Sequence, residues 1–102
     1  MNTEVKILPI RPYLKDNCIL THRELEYLAL VALGCRNNEI ANILYVSLCT
    51  VKKTFEKIFD KLHAIDRASA VKIGFINHIL NTRVLTEAVK TYEINTVVVM
   101  YL

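Results

Sequence analysis

From Leu20 onward the apolar positions recur with a helical period, and the residues between the runs are those that start and stop helices. Thr21 and Glu24 form a capping box, in which the threonine hydroxyl accepts from a free backbone N–H and the glutamate reaches back to the cap. The helix they open carries Leu25, Leu28, Ala29 and Ala32 and stops at Gly34, the residue best suited to a left-handed cap. Asn37 or Asn38 then caps a short second helix whose buried face is Ile40, Ala41 and Leu44. Tyr45 and Val46 make a tight connection, and Ser47 caps a third helix. Its apolar residues Val51, Phe55, Ile58 and Leu62 are spaced by 4, 3 and 4, which predicts a helix over 47–62 with one buried stripe. The opposite face carries Lys52, Lys53, Glu56, Lys57, Asp60 and Lys61.

A fourth helix is expected from about Asp66 to Leu80. It is apolar nearly all round, through Ala70, Val71, Ile73, Phe75, Ile76, Ile79 and Leu80. One face packs on the core and the other needs a second cover. Residues 84–93 read as a further helical stretch, and Thr96–Tyr101 is strand-like. Ahead of the domain, Val5, Ile7 and Ile10 suggest a short strand that Pro9 and Pro12 interrupt, so residues 1–19 read as an irregular arm. The expected fold is all-α: an arm over 1–19, a four-helix domain over 20–81, and an extension over 82–102 that packs on the domain or pairs two copies.

Composition removes several functions. With 2 Gly in 102 residues, no phosphate-cradling loop of the P-loop or dinucleotide type can be built. Cys18, Cys35 and Cys49 are odd in number and lack a Cys-x-x-Cys pair, so they read as small thiols rather than a disulfide framework or zinc site. His22, His63 and His78 have no nucleophile or carboxylate at catalytic spacing, apart from Asp66 near His63, and no enzyme, cofactor or metal is expected. No apolar run approaches the length of a membrane span, Val97–Leu102 being only six residues. The first residues lack the cationic and apolar regions of a signal peptide, and a cytoplasmic location is expected. The formal charge of +3 is compatible with nucleic acid without requiring it.

Two helices joined by a three-residue turn, the second with a cationic outer face, are what a helix-turn-helix DNA reader needs. The residues are more specific than the outline. Leu20-Thr21-His22-Arg23-Glu24, Glu26, Leu28, Ala32 and Gly34 resemble the opening of the LuxR/GerE-type helix-turn-helix family. The resemblance continues through Asn37, Glu39-Ile40-Ala41, Leu44, Ser47 and Thr50-Val51-Lys52. It closes with Ile58, Lys61-Leu62, Arg67 and Ala70-Val71, so it spans about residues 20–75. It implies a transcription regulator that lays helix 47–62 in the major groove of double-stranded DNA, Lys52 being the position most often credited with contact. Lys53, Thr50, Ser47, Lys57, Arg36, Asn38 and Lys61 complete the expected DNA-binding set. The family pairs through the fourth helix, which together with its two apolar sides implies a homodimer with Val71, Phe75, His78 and Ile79 at the contact. Arg23 and Glu24 are expected to form an ion pair bracing the first helix.

The departures from the family pattern carry information too. Asn38 stands where a lysine is usual, Thr54 where a histidine is common, and His63 where a glycine ends the recognition helix. Glu56 and Asp60 put carboxylates on the face that would approach phosphates. Leu25, Ala29, Leu33 and Ile43 are apolar where the family is polar, and an uncovered stripe of this kind is an association site. Either the extensions or a protein partner are expected to cover Leu25, Ala29 and Leu33. The short upstream segment suggests a free-standing regulator. A protein-interaction adapter or anti-activator that keeps the fold without strong DNA binding is the alternative reading.

Overall fold

In the computed structural model, which describes residues 19–94, the first helix α1 (His22–Ala32) opens with the expected box. Thr21 Oγ1 accepts from the Glu24 amide at 3.1 Å, and Glu24 Oε1 accepts from the Thr21 amide at 2.9 Å. The helix ends in a Schellman turn. Gly34 sits at φ 94, the Cys35 amide donates to Leu30 O and the Gly34 amide to Val31 O. Helix α2 (Asn37–Leu44) starts one residue earlier than an asparagine cap would have it. Arg36 is the cap residue, and its amide donates to Glu39 Oε1 at 2.7 Å. Asn37 is inside the helix because its side-chain carbonyl accepts from Arg67 instead. Helix α3 (Leu48–Leu62) follows Ser47, as the sequence predicts, and buries Val51, Phe55, Ile58 and Leu62.

Helix α4 (Arg67–Ile76) is shorter than expected. His78 takes a left-handed conformation, φ 63, and the amides of Ile79 and Leu80 both return to Gly74 O. The chain therefore leaves the helix axis at Asn77 and turns Ile79 and Leu80 into the core. This corrects the expected dimer contact: Ile79 is 4% exposed and has no surface to offer a partner. Gly74 lets Leu80 and Leu28 pack close against the helix, since a Cβ there would stand 3.0 Å from Leu80 Cδ1 and 3.1 Å from Leu28 Cδ2.

A fifth helix, α5 (Thr82–Tyr92), occupies the stretch expected to be helical and is capped by Asn81, whose Oδ1 accepts from the Val84 amide at 2.9 Å. The described residues are thus all-helical, with the four expected helices within 20–81 and a fifth in the extension. Helices α1, α3 and α4 pack mutually, α2 lies on α3, and α5 lies on α1. Tyr27, Leu28, Leu30, Ile40, Val51, Ile58 and Leu80 are fully buried at the centre. Among these residues no helix is long and apolar enough to cross a membrane. Residues 1–18 of the arm, with Cys18, and Thr96–Tyr101, expected to be strand-like, lie outside the described residues.

The apolar stripe on α1 is covered from within the chain. Ala29 and Leu33 are buried and Leu25 is half-buried. A cavity of about 350 Å³ between α1 and α5 is lined by Leu25, Ala29, Val84, Ala88 and Tyr92 among others. The C-terminal extension thus supplies, through α5, one of the two covers expected for this stripe. Tyr92 locks the two helices, its hydroxyl donating to Glu26 Oε2 at 2.7 Å. Burial and then the Glu26 carboxylate that accepts its proton push the Tyr92 phenol up to about 12. The folded state holds this proton more tightly than the unfolded chain, so the contribution is complete below pH 10 and fades as pH rises from about 10 to 12. Alkaline unfolding of the wild type should show this fall; in Tyr92→Phe the fall should be absent and stability at neutral pH lower.

Candidate nucleic-acid interface

The turn between α2 and α3 is three residues long, Tyr45-Val46-Ser47. Tyr45 adopts φ 58, ψ 46, and the Val46 amide donates to Ala41 O, which closes α2 and swings the chain into α3. Ser47 Oγ accepts from the Thr50 amide and donates to Thr50 Oγ1, both at 3.0 Å. Leu44 and Val51 are buried on either side of the turn, so the angle between the helices is fixed by packing as well as by hydrogen bonds.

Two arginines brace this unit from outside. Arg23 Nη2 donates to Leu44 O at 3.2 Å, placing a cation at the C-terminal end of α2, where the helix dipole favours it. Arg67, at the start of α4, donates to Cys35 O at 2.7 Å and to the Asn37 side chain. Its guanidinium also lies 5.3 Å from the centroid of the Phe55 ring, within cation–π range. Phe55 in turn meets Tyr27 edge to face at 5.6 Å and stacks with Phe59 at 5.9 Å. Arg67 therefore ties the start of α2, the middle of α3 and the start of α4 together. The sequence marks it only as a matched position; its partners are 30 and 32 residues away and no local pattern points to them.

The outer face of α3 carries Lys52, Lys53 and Lys57, all exposed. Among the described residues none of the three forms an ion pair within 4.0 Å. Cys49, Lys53, Glu56 and Asp60 follow one another at helical spacing on the side opposite the buried stripe. The face thus offers three lysines against two carboxylates. Arg36 and Asn38 are exposed at the start of α2, and Thr50 is exposed in the first turn of α3. A shallow pocket of about 270 Å³ between Asn37, Lys52, Phe55, Glu56, Phe59 and Arg67 borders the face.

Lys61 does not join this face. Its Nζ donates to Glu24 Oε1 at 2.7 Å, with side-chain exposures of 34% and 9%. The expected brace of α1 is therefore Glu24 with Lys61, whereas Arg23 pairs with Glu26 at 3.2 Å. Burial alone would raise the Glu24 carboxyl, but the hydrogen bonds from Lys61 and Thr21 outweigh it and hold the group below its ordinary value. A residue that reads as part of the cationic face thus anchors α3 to the cap of α1. In the same region Cys35 is buried, and its thiol is pushed up by burial and by the nearby Glu39, with Arg67 opposing. Cys49 is exposed.

The chain matches the family model described as "Bacterial regulatory proteins, luxR family" over residues 18–73. It is similar to the transcriptional regulatory protein LiaR of Bacillus subtilis, with 42% identity over 62 residues, covering 61% of this chain and 29% of the relative. It is similar in the same way to the response regulator protein VraR of Staphylococcus aureus, at 39% identity over 62 residues, 61% of this chain and 30% of the relative. The chain therefore spans less than a third of the length of these relatives. No solved structure matches it.

Proposed function

The chain belongs to the LuxR family of bacterial regulatory proteins, and on that footing we propose that it regulates transcription by binding double-stranded DNA as a homodimer. The observation that carries the reading is the face of α3. Three exposed lysines, without carboxylate partners among the described residues, stand on a helix whose angle is fixed by Ser47, Arg23 and Arg67. Lys52 and Lys53 contact the duplex, supported by Lys57 and, from the first turn, by Ser47 and Thr50. Arg36 and Asn38 lie at the start of α2, where helix amides and side chains suit a phosphate. A duplex added to the isotope-labelled chain should move the amide resonances of residues 36–57 and leave α5 unmoved. Shifts confined to α1 and α5 would contradict this orientation.

The dimer reading rests on α4. Phe75 and Ile76 are 42% and 41% exposed, and Val71, one turn before Phe75, is half-buried. With Ile79 taken by the core, the proposed contact is Val71, Phe75 and Ile76, with the exposed His78 at its edge. A two-fold pair of such units presents its recognition helices to half-sites about one helical turn apart. Light scattering at tens of micromolar should give twice the 11.7 kDa of one chain, and Phe75→Glu should return the mass of a monomer. A wild-type monomer at that concentration would refute the dimer.

One observation favours a second reading. Glu56 and Asp60 are exposed on the groove face and, among the described residues, neither has a cation within 4.0 Å. Carboxylates beside phosphates repel, which suits an adapter that keeps the fold and meets a protein through this face. The two readings part on salt-dependent binding to a duplex.

A further inference from the structure

Arginine and the side-chain amides, which read guanine and adenine in many DNA-binding helices, are absent from the recognition helix. Between Ser47 and Leu62 there is no arginine, asparagine or glutamine, so adenine cannot be read by an amide pairing from this helix and guanine is left to the lysines. Of the hydroxyls in its first turn, Ser47 is committed to the cap, its oxygen accepting from the Thr50 amide and its proton going to Thr50 Oγ1. Yet the N-terminal end of such a helix is the part that reaches base edges. Beside the exposed Thr50, an apolar and a weakly polar side chain stand exposed there. Leu48, the first residue of α3, is 43% exposed, and Cys49 beside it is exposed.

Helical spacing joins these two residues to the cationic face. Leu48 precedes Lys52 by four, and Cys49 precedes Lys52 by three and Lys53 by four, so both extend the lysine surface toward the helix start. Lysines that engage the phosphates on either side of the groove would hold this start against the base pairs. The one major-groove feature that an aliphatic side chain recognises is the C5-methyl group of thymine.

We propose that Leu48, with Cys49 beside it, reads thymine methyl groups in the major groove, so that apolar contact at the start of α3 takes the place of the arginine and amide pairings this helix lacks. The proposal rests on the reading of α3 as the DNA-contacting helix. It makes thymine at one or two positions of each half-site a determinant of affinity. Lysine contacts and the shape of the duplex contribute the remainder. Leu48 is half in solvent and outside the buried stripe, so shortening it leaves the core residues Val51 and Phe55 in place.

The test uses the full chain and duplexes enriched from a randomised pool, resynthesised with deoxyuridine in place of thymidine, which removes the methyl and nothing else. Burying one methyl-sized group is worth about 0.8 kcal/mol, so each contacted methyl should be worth about fourfold in Kd. The wild type is expected to bind the deoxyuridine duplex at least that much more weakly, while Leu48→Ala binds both duplexes alike with an unchanged circular dichroism spectrum. Equal wild-type affinity for the two duplexes would overturn the inference and leave the DNA reading standing. A methyl preference that persists in Leu48→Ala would overturn the assignment to Leu48. If no duplex is enriched, the DNA reading falls and the inference falls with it.

Discussion

Replacing Lys52 and Lys53 together by alanine should weaken duplex binding by about a hundredfold at low salt. A hydrogen bond that involves a charged group contributes about 1.5–3 kcal/mol, so losing two costs at least about 3 kcal/mol, which is that factor. The salt dependence should become shallower at the same time, because each released counterion contributes a slope of about −0.9 in log affinity against log salt. Both side chains are exposed and make no ion pair among the described residues, so the variant should melt at the wild-type temperature. Polarisation of a labelled duplex measures the loss, and the melting curve separates it from unfolding. Lys61→Ala should behave in the opposite way. It strips Glu24 of its partner and so lowers stability, with little effect on the salt slope.

The largest effect on stability is expected at Phe55. This ring is buried among Tyr27, Phe59 and the Arg67 guanidinium, and it joins the recognition helix to the rest of the core. Truncating a buried phenylalanine to alanine typically costs about 3–5 kcal/mol, a large part of the 5–15 kcal/mol that holds a typical domain together. At about 4–8 °C per kcal/mol for a domain of this size, Tm should fall by well over 10 °C. Phe55→Leu keeps most of the volume and loses the ring contacts, so its cost should be less than half as large. Thermal melts followed by circular dichroism check both. Equal melting of Phe55→Ala and wild type would mean that Phe55 is not part of the core.

The helix-turn-helix itself was legible because its signals are local. The capping box at Thr21, the stop at Gly34, the Ser47 cap and the 4-3-4 spacing of Val51, Phe55, Ile58 and Leu62 all lie within a few residues of what they determine. The end of α4 was not legible in the same way. Its apolar residues resume past the turn at helical spacing, Ile79 standing four after Phe75, and the turn uses a histidine at φ 63 rather than a glycine. Once the chain reverses at His78, the same apolar run supplies an exposed Phe75 and a buried Ile79, which periodicity along a straight helix cannot separate.

The remaining differences come from partners distant along the chain. Lys61 sits 37 residues from Glu24, so its charge reads as part of an outer face until the helices are packed. Asn37 looks like a helix cap until Arg67, 30 residues on, takes its side-chain carbonyl. The cover over Leu25 and Ala29 could be anticipated, since an apolar stripe on a small domain has to be hidden by something. That α5 hides it, with Tyr92 locked on Glu26, needed the structure. In each case the sequence specified the residue type and the tertiary contact decided its role.

The central claim is that α3 presents its lysines to phosphate groups. It is tested most directly by titrating a labelled duplex with the full chain over a series of salt concentrations. Three lysine contacts per chain predict a slope of about −2.7 in log affinity against log salt, or about a fortyfold loss of affinity between 50 and 200 mM, and a dimer bound to two half-sites should be steeper still. A slope indistinguishable from zero, or no binding at the lowest salt, would contradict the account and leave the face of α3 to a protein partner.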